Sequence, residues 1–391
     1  MRTYRVAILG CRSRGTAAAR AYHAHPRCQI VGLCDLVRER VDTLGDELGI
    51  PDRFTDLDEL MRGGAPDIVA IPTATEFHHE LCMRVLAYGA HIDVEKPMCS
   101  TLEQADEVLA EANRKGFRIA VHHQGRCSPS MRAAQRAIRE GRIGAIRYLT
   151  GTCKGYYGGY GLMNIGTHIV NNMIGLVGHC RSVTALGLTA GDPVTPADVI
   201  PSAGGMGTVC GERLTALLAF GDNITGTLVQ HRYARVDNTA YGLEIYGEEG
   251  RIFWKSTAGW LLPTPHYVPD GVHDHWEALS PVYADTFDPS GRADASDYAY
   301  VDEFVRALDE DHEHECSGGE GLHVMETLMG VLESAAYGRR VMLPQTDRRH
   351  PLLHWREVHG MDAPASMPRD YREWLEAEDR RLGRPPAQET A

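Results

Sequence analysis

The stretch from Arg5 to Asp35 limits the possible folds of this chain more than any other. Arg5–Leu9 is an apolar, β-rich run, followed by Gly10-Cys11-Arg12-Ser13-Arg14-Gly15 and an alanine-rich segment, Thr16–His25. A second β-rich run, Gln29–Cys34, ends at Asp35, twenty residues past Gly15. Strand, glycine turn, helix, strand and acid in this order form a dinucleotide-binding fingerprint. Gly10 allows a tight turn, and Gly15 allows the helix to pack closely on the sheet. The helix N-terminus then offers free N–H groups and the positive end of its dipole to a pyrophosphate. Arg12 replaces the middle glycine, which crowds the closest backbone approach but supplies a guanidinium that can grip phosphate. Asp35 suits the two ribose hydroxyls of NAD and repels the 2′-phosphate of NADP. Arg38 and Arg40 follow closely, so NADP stays open.

Further strand and helix signals alternate after this unit. Leu57–Gly63 reads as a helix, Asp67–Ile71 as a strand and His79–Tyr88 as a helix closed by Gly89. Next comes His91-Ile92-Asp93-Val94-Glu95-Lys96-Pro97, a short buried strand that its proline must end. Lys96 is thereby left at the carboxyl end of a strand, where open α/β sheets place ligands. Helix Leu102–Lys115, with Ser100 or Thr101 as its cap, and strand Arg118–His122 complete a doubly wound parallel sheet.

The ordered set of motifs is specific. The Gly10–Gly15 turn, Thr75-x-x-His78, Gly89-Ala90-His91 and Glu95-Lys96-Pro97 resemble the glucose–fructose oxidoreductase / inositol dehydrogenase / rhizopine-catabolism (Gfo/Idh/MocA) family. So do His123-Gln124-Gly125-Arg126, Pro129 and a helix ending in Gly141-Arg142-Ile143-Gly144, and the likeness runs over most of residues 1–345. The resemblance implies that Lys96 lies beside a nicotinamide and hydrogen-bonds the reacting hydroxyl. It implies cofactor contacts from Gly10, Arg12, Ser13, Arg14, Gly15, Asp35, Arg40, Thr73, Thr75, His78, Glu95, Lys96 and Arg126.

From about Gly144 the texture changes to longer alternating strands: Ala145–Thr152, Ser182–Leu188, Thr215–Phe220, Ile224–His231, Tyr241–Tyr246 and Gly250–Lys255. Turns such as Gly221-Asp222-Asn223 predict hairpins. An α+β domain with a large open, mainly antiparallel sheet follows, and the resemblance implies that its far face serves a homodimer or homotetramer. The expected domains are residues 1–123, 124–345 and a partly disordered extension, 346–391. In that extension a short helix is expected over Asp370–Leu382, and a disordered tail past Gly383.

Ile165, Ile169, Met173 and Leu176 form a buried helical stripe, while Asn164, His168 and Asn172 share another face. The family carries Asp-x-x-x-His at this place, which implies His168 as acceptor of the substrate hydroxyl proton. Asn164 stands where the family has aspartate. An amide orients the imidazole only by a neutral hydrogen bond, roughly half as strong as a charge-assisted one. Lys154, Tyr156, Tyr157, Thr167 and His231 are the further candidates for substrate contact. Arg232 and Tyr233 rank below them.

Composition removes other classes. Two domains are the default for 391 residues. A net charge of −13 argues against nucleic acid or an acidic membrane surface. No apolar run approaches the roughly 18 residues that span a bilayer, and the opening residues predict no signal peptide. Ten scattered cysteines suit reduced thiols and a cytoplasmic protein. His312-x-His314-x-Cys316 and His266 with His273 and His275 lack a zinc spacing, so no metal is expected.

The sequence thus predicts an NAD-dependent oxidoreductase acting on a secondary hydroxyl of a sugar, glycoside or cyclitol. Two alternatives stand beside it. One is a glycoside-cleaving enzyme that oxidises its sugar only transiently, and the other a non-catalytic nucleotide sensor of the same fold.

Overall fold

The computed structural model describes residues 2–265 and 275–384. Six strands form the first sheet: Tyr4–Leu9 (β1), Cys28–Cys34 (β2), Arg53–Phe54 (β3), Ile68–Ile71 (β4), His91–Val94 (β5) and Ile119–Val121 (β6). Their order is β3-β2-β1-β4-β5-β6 and every pairing is parallel. Parallel strands need crossovers, and Ser13–Ala24 (α1), Arg38–Leu48 (α2), Leu57–Gly64 (α3), His78–Tyr88 (α4) and Leu102–Lys115 (α5) supply them. The order reverses between β1 and β4, which opens the crevice where such sheets hold nucleotides. Two short helices, Gln124–Cys127 (α6) and Pro129–Arg139 (α7), follow β6.

The chain divides into two compact units whose boundaries differ from the expected ones. The first joins 1–99, 104–145 and 248–322, and the second joins 100–103, 146–247 and 323–391. The reason is the helix Ala295–Asp309, which returns to the first sheet. Its Tyr300, Val301 and Phe304 are buried in one core with Val6, Ile8, Tyr22 and Leu33. Burying an aromatic or aliphatic side chain is worth about 1.5–3 kcal/mol, so without this helix one face of the sheet would be left wet.

In the second unit, Ile146–Thr152 (β7) pairs parallel with Thr225–His231 and antiparallel with Gly242–Gly247. Arg213–Ala219 lies antiparallel to Thr225–His231 and to Ser182–Thr189 (β8), which also pairs Val341–Met342. The hairpin turn puts Asp222 and Asn223 at φ 53° and 61°, the left-handed pair that matches strand twist. One sheet face carries exposed Tyr148, Leu186, Leu217 and Met342.

The opposite side is covered by Gly158–Gly161 (α8), a π-helical turn at Leu162–Gly166 and Thr167–Val177 (α9). Ile165, Ile169 and Met173 are buried as expected, with Leu176 half-buried. Asn172 departs from expectation: it is buried while Asn164 and His168 stay half-buried, so the three do not present one surface. In the extension the expected helix forms at Tyr371–Arg381, capped by Asp370, while a further helix at Pro351–Val358 was not expected; both lie in the second unit. Residues 385–391, most of the expected tail, lie outside the described residues.

Candidate active site

Gly10 ends β1 at φ +116°, and a Cβ there would stand 3.3 Å from the carbonyl oxygen of Pro72. A Cβ on Gly15 would stand 1.9 Å from the Gly10 carbonyl oxygen. Gly10 is therefore required by its positive φ and Gly15 by close approach, and α1 starts directly against the turn. Asp35 closes the turn from the end of β2. Its Oδ2 accepts the Cys11 N–H at 2.8 Å, and its Oδ1 accepts the Val37 N–H at 2.9 Å. Arg40 reaches the same carboxylate at 3.3 Å. Arg38 instead pairs with Asp42.

Arg12 and Ser13 are exposed at the start of α1. Arg14 points elsewhere: Nε donates to Glu95 at 2.7 Å and Nη2 to Asp297 at 2.8 Å. Its guanidinium thus ties α1 to the Lys96 turn rather than standing open to a phosphate.

The turn after β5 is pinned from several sides. Lys96 is half-buried, precedes a cis peptide bond to Pro97, and donates its backbone N–H to Glu95 Oε2 at 3.2 Å. His78 is buried between two carbonyl oxygens, with Nδ1 3.0 Å from that of Pro97 and Nε2 3.1 Å from that of Thr73. Burial lowers its pKa against the pull of those carbonyls. One ring nitrogen donates at a time, and the imidazole clamps the loops after β4 and β5 together. Thr75 is buried at the start of a short 3₁₀ turn. Thr73 Oγ1 is buried at the mouth of the crevice with no hydrogen-bond partner.

Sequence reasoning missed what lies beneath. His122 is 2 % exposed, with Nδ1 3.0 Å from Asp93 and Nε2 3.0 Å from Asp297. Tyr22 donates to the other oxygen of Asp93 at 3.0 Å. Burial opposes a charge on His122, but the two aspartates outweigh it and raise its pKa to about 10. Burial likewise opposes ionisation of Glu95, and Arg14, His122 and Lys96 hold its carboxyl below the usual range. The result is a buried lattice of alternating charge under Lys96. His123 beside it is kept neutral by burial and by Lys96, His122 and Arg126. Arg126 is engaged by Glu320 at 2.6 Å.

In the second unit, Asn164 Nδ2 donates to the Tyr160 hydroxyl at 3.0 Å. His168 follows one turn later in α9, next to fully buried Thr167. Tyr156 is half-buried and packs edge-on against Tyr160 and Tyr371. Tyr157 corrects an expectation: its side chain is wholly buried and its hydroxyl donates to Glu378, so it anchors the C-terminal helix and offers no surface to a substrate. Lys154 holds its ammonium 5.3 Å from the Tyr241 ring centre, and burial lowers its pKa. His231 shares a 2.9 Å hydrogen bond with Thr215 and is lowered by burial and by Arg213.

Among the described residues no group of three His, Cys, Asp or Glu is placed to hold a metal. His314 uses both ring nitrogens on backbone groups of Tyr300 and Cys316. His266 and His273 lie outside the described residues.

A six-stranded parallel sheet with a glycine turn at its reversal point and an acid at the end of β2 defines a dinucleotide-binding α/β protein. Residues 4–123 match the model of an oxidoreductase family with an NAD-binding Rossmann fold, and residues 135–343 match that family's C-terminal alpha/beta domain. The chain belongs to the Gfo/Idh/MocA oxidoreductase family.

A 1,5-anhydro-D-fructose reductase of Ensifer adhaerens is 33% identical over 116 residues, 30% of this chain and 35% of that protein. A D-glucoside 3-dehydrogenase of Escherichia coli is 26% identical over 193 residues, 44% of this chain and 54% of that protein. These matches span between a third and just over half of the relatives' length. An oxidoreductase domain protein from Kribbella flavida shares the fold, with a TM-score of 0.72 at 20% identity over 88% of this chain and all of that one. No helix among the described residues is long and apolar enough to cross a membrane.

Proposed function

We propose that this protein is an NAD-dependent dehydrogenase of a secondary hydroxyl on a sugar, glycoside or cyclitol. The observation that carries the reading is Lys96, fixed at the carboxyl end of β5 above the charged lattice of Glu95, Arg14, His122, Asp93 and Asp297. The crevice residues fit a dinucleotide. Gly10 takes a positive φ, Gly15 leaves no room for a Cβ, Asp35 faces the turn, and Thr73 Oγ1 stands buried without a partner. When bound there, nicotinamide supplies the hydride acceptor.

The chain's own residues do the rest. Lys96 donates a hydrogen bond to the reacting oxygen and stabilises negative charge as the O–H weakens. His168 takes the proton on a ring nitrogen. Asp35 favours the ribose diol of NAD, and Arg40 beside it is placed to soften exclusion of NADP. Positioned acid–base groups of this kind are worth roughly 10²–10⁴-fold in rate.

The relatives named above act on sugars, which supports the substrate class. The exposed apolar residues of the second sheet support a homodimer or homotetramer, and ten free cysteines support a reducing, cytoplasmic setting.

The test is a panel of polyols and glycosides assayed with NAD and with NADP, wild type beside Lys96→Met and His168→Ala. We expect nicotinamide reduction on a subset of the panel and a loss of about 10²-fold or more in each variant. Normal turnover in both variants sinks the site assignment. Product formed without net change in nicotinamide absorbance would favour the glycoside-cleaving alternative.

A further inference from the structure

We infer that the C-terminal helix Tyr371–Arg381 belongs to the reaction site, where Tyr371 and Tyr160 orient Asn164 and through it His168. The inference rests on the reading of His168 as proton acceptor. It concerns residues beyond 343, where the family match ends, and a tyrosine that no comparison assigns a role.

The helix is bound firmly to the second unit. Arg232 forms a forked pair with Asp379 at 2.7 and 2.8 Å and also reaches Glu212 at 3.1 Å. Arg384 pairs with Glu212 from the other side. Trp374 donates its indole N–H to the Pro201 carbonyl at 2.7 Å, and the Tyr157 hydroxyl donates to buried Glu378. Forked arginine–carboxylate pairs fix geometry as well as adding energy.

This anchoring delivers Tyr371 to one place. Its ring stacks on Tyr160 with centroids 4.5 Å apart and meets Tyr156 edge-on at 5.1 Å. Its hydroxyl accepts the Tyr157 N–H at 2.9 Å. Tyr160 is thus held between the helix and α8, and its hydroxyl accepts from Asn164 Nδ2 at 3.0 Å.

The chemistry of an amide gives that contact its meaning. A carboxylate accepts through either oxygen, so it orients an imidazole whichever way it turns. An amide accepts through one atom and donates through the other. With one Nδ2 hydrogen given to the Tyr160 hydroxyl, the amide is fixed against a flip and Oδ1 points away from Tyr160. His168 lies four residues on, within reach of a side chain on the preceding turn. Placed so, Oδ1 is the acceptor offered to a His168 ring N–H, and this sets which nitrogen faces the substrate hydroxyl. Where the family motif has a carboxylate, this chain has an amide and a separate tyrosine to aim it. Tyr160 and Tyr371 are positioning residues.

The experiment uses the full-length protein with NAD and the panel, methyl β-D-glucoside and myo-inositol included. Tyr160→Phe keeps the stacked ring and loses the hydroxyl. We expect kcat to fall about 5–10-fold with KM little changed, the scale of one hydrogen bond. In an Asn164→Asp background the same change should cost under about 2-fold, because a carboxylate needs no aiming. Tyr371→Ala should lower kcat as well, and Tyr371→Phe should restore most of it.

The His168 ring titration, followed by NMR without substrate, should move down in Tyr160→Phe and stay put in the Asn164→Asp background. An equal effect of Tyr160→Phe in both backgrounds, or an unmoved titration, overturns the inference. If His168→Ala is inactive while Tyr160→Phe is fully active, the inference alone falls. Normal turnover in His168→Ala removes the reading beneath it.

Discussion

His122 bridges to Asp297 at 3.0 Å, a pairing between strand-end and helix residues 175 positions apart. Neither partner is chemically self-sufficient at that depth. The imidazolium is stable because Asp93 and Asp297 flank it, and each carboxylate is stable because His122, Arg14 or Tyr22 answers it. Removing one partner from such a buried pair leaves an uncompensated charge at a cost of about 3 kcal/mol or more. Asp297→Ala should therefore lower the unfolding free energy measured by urea denaturation by that amount, and it should also depress kcat by loosening Arg14, Glu95 and the Lys96 turn. A stability loss with unchanged kcat would show that the lattice supports the core and not the site.

The same pairing sets an alkaline limit. His122 has a folded pKa raised to about 10 against an ordinary value of 6.5. A raised base contributes stability that is fully present below the unfolded value and is lost as pH rises through the folded one. Denaturation midpoints should fall progressively between about pH 6.5 and 10, and His122→Asn, though less stable at neutrality, should flatten that limb.

Acid acts through different histidines. His350 is buried and lowered to about 4 by burial, and His91 is lowered to about 4 by burial with Arg2 and Arg118. Both are neutral when folded and charged when unfolded below pH 6.5. A depressed base contributes stability that is lost as pH falls from 6.5 toward 4. Stability measured across that range should drop less steeply in His350→Phe than in the wild type.

Gly15→Ala places a methyl group where only 1.9 Å separates it from the Gly10 carbonyl oxygen. Backbone cannot yield cheaply, so α1 must move off the turn that cradles the pyrophosphate. NADH titration by fluorescence should show binding weakened by about 10-fold or more, with the second unit's near-UV circular dichroism retained. Unchanged affinity would displace the cofactor from this crevice.

Asp35→Asn keeps an acceptor for the Cys11 N–H and removes the charge that opposes a 2′-phosphate. Arg40, 3.3 Å away, is then free to serve that phosphate. The ratio of NADP to NAD dissociation constants should fall by about 10-fold, the effect of roughly one charge-assisted contact.

Local chemistry made the first third of the chain legible. The Gly10–Gly15 turn, Asp35, the helix at Leu102–Lys115 and the Asp222-Asn223 hairpin each depend on residues close in sequence. What stayed hidden depends on distant partners. Nothing in the periodicity of Ala295–Asp309 says that its Tyr300 and Phe304 seal a sheet begun at Tyr4, or that Asp297 meets Arg14. His122 looked like any strand-end histidine until two aspartates stood beside it. Fourfold spacing put Asn172 on one face with Asn164 and His168, but packing buries Asn172 and leaves the other two half-buried. Tyr157 read as a pocket aromatic, because the helix that covers it comes more than two hundred residues later.

The divided first unit has a consequence for how the protein is made. Residues 1–145 leave the ribosome carrying a parallel sheet whose Ile8 and Leu33 face, with Tyr22 of α1, lacks its cover. At synthesis rates of roughly 5–20 residues per second, helix Ala295–Asp309 follows about 8–30 s later. During that interval the apolar surface stays uncovered, until Tyr300 and Phe304 arrive to complete the core.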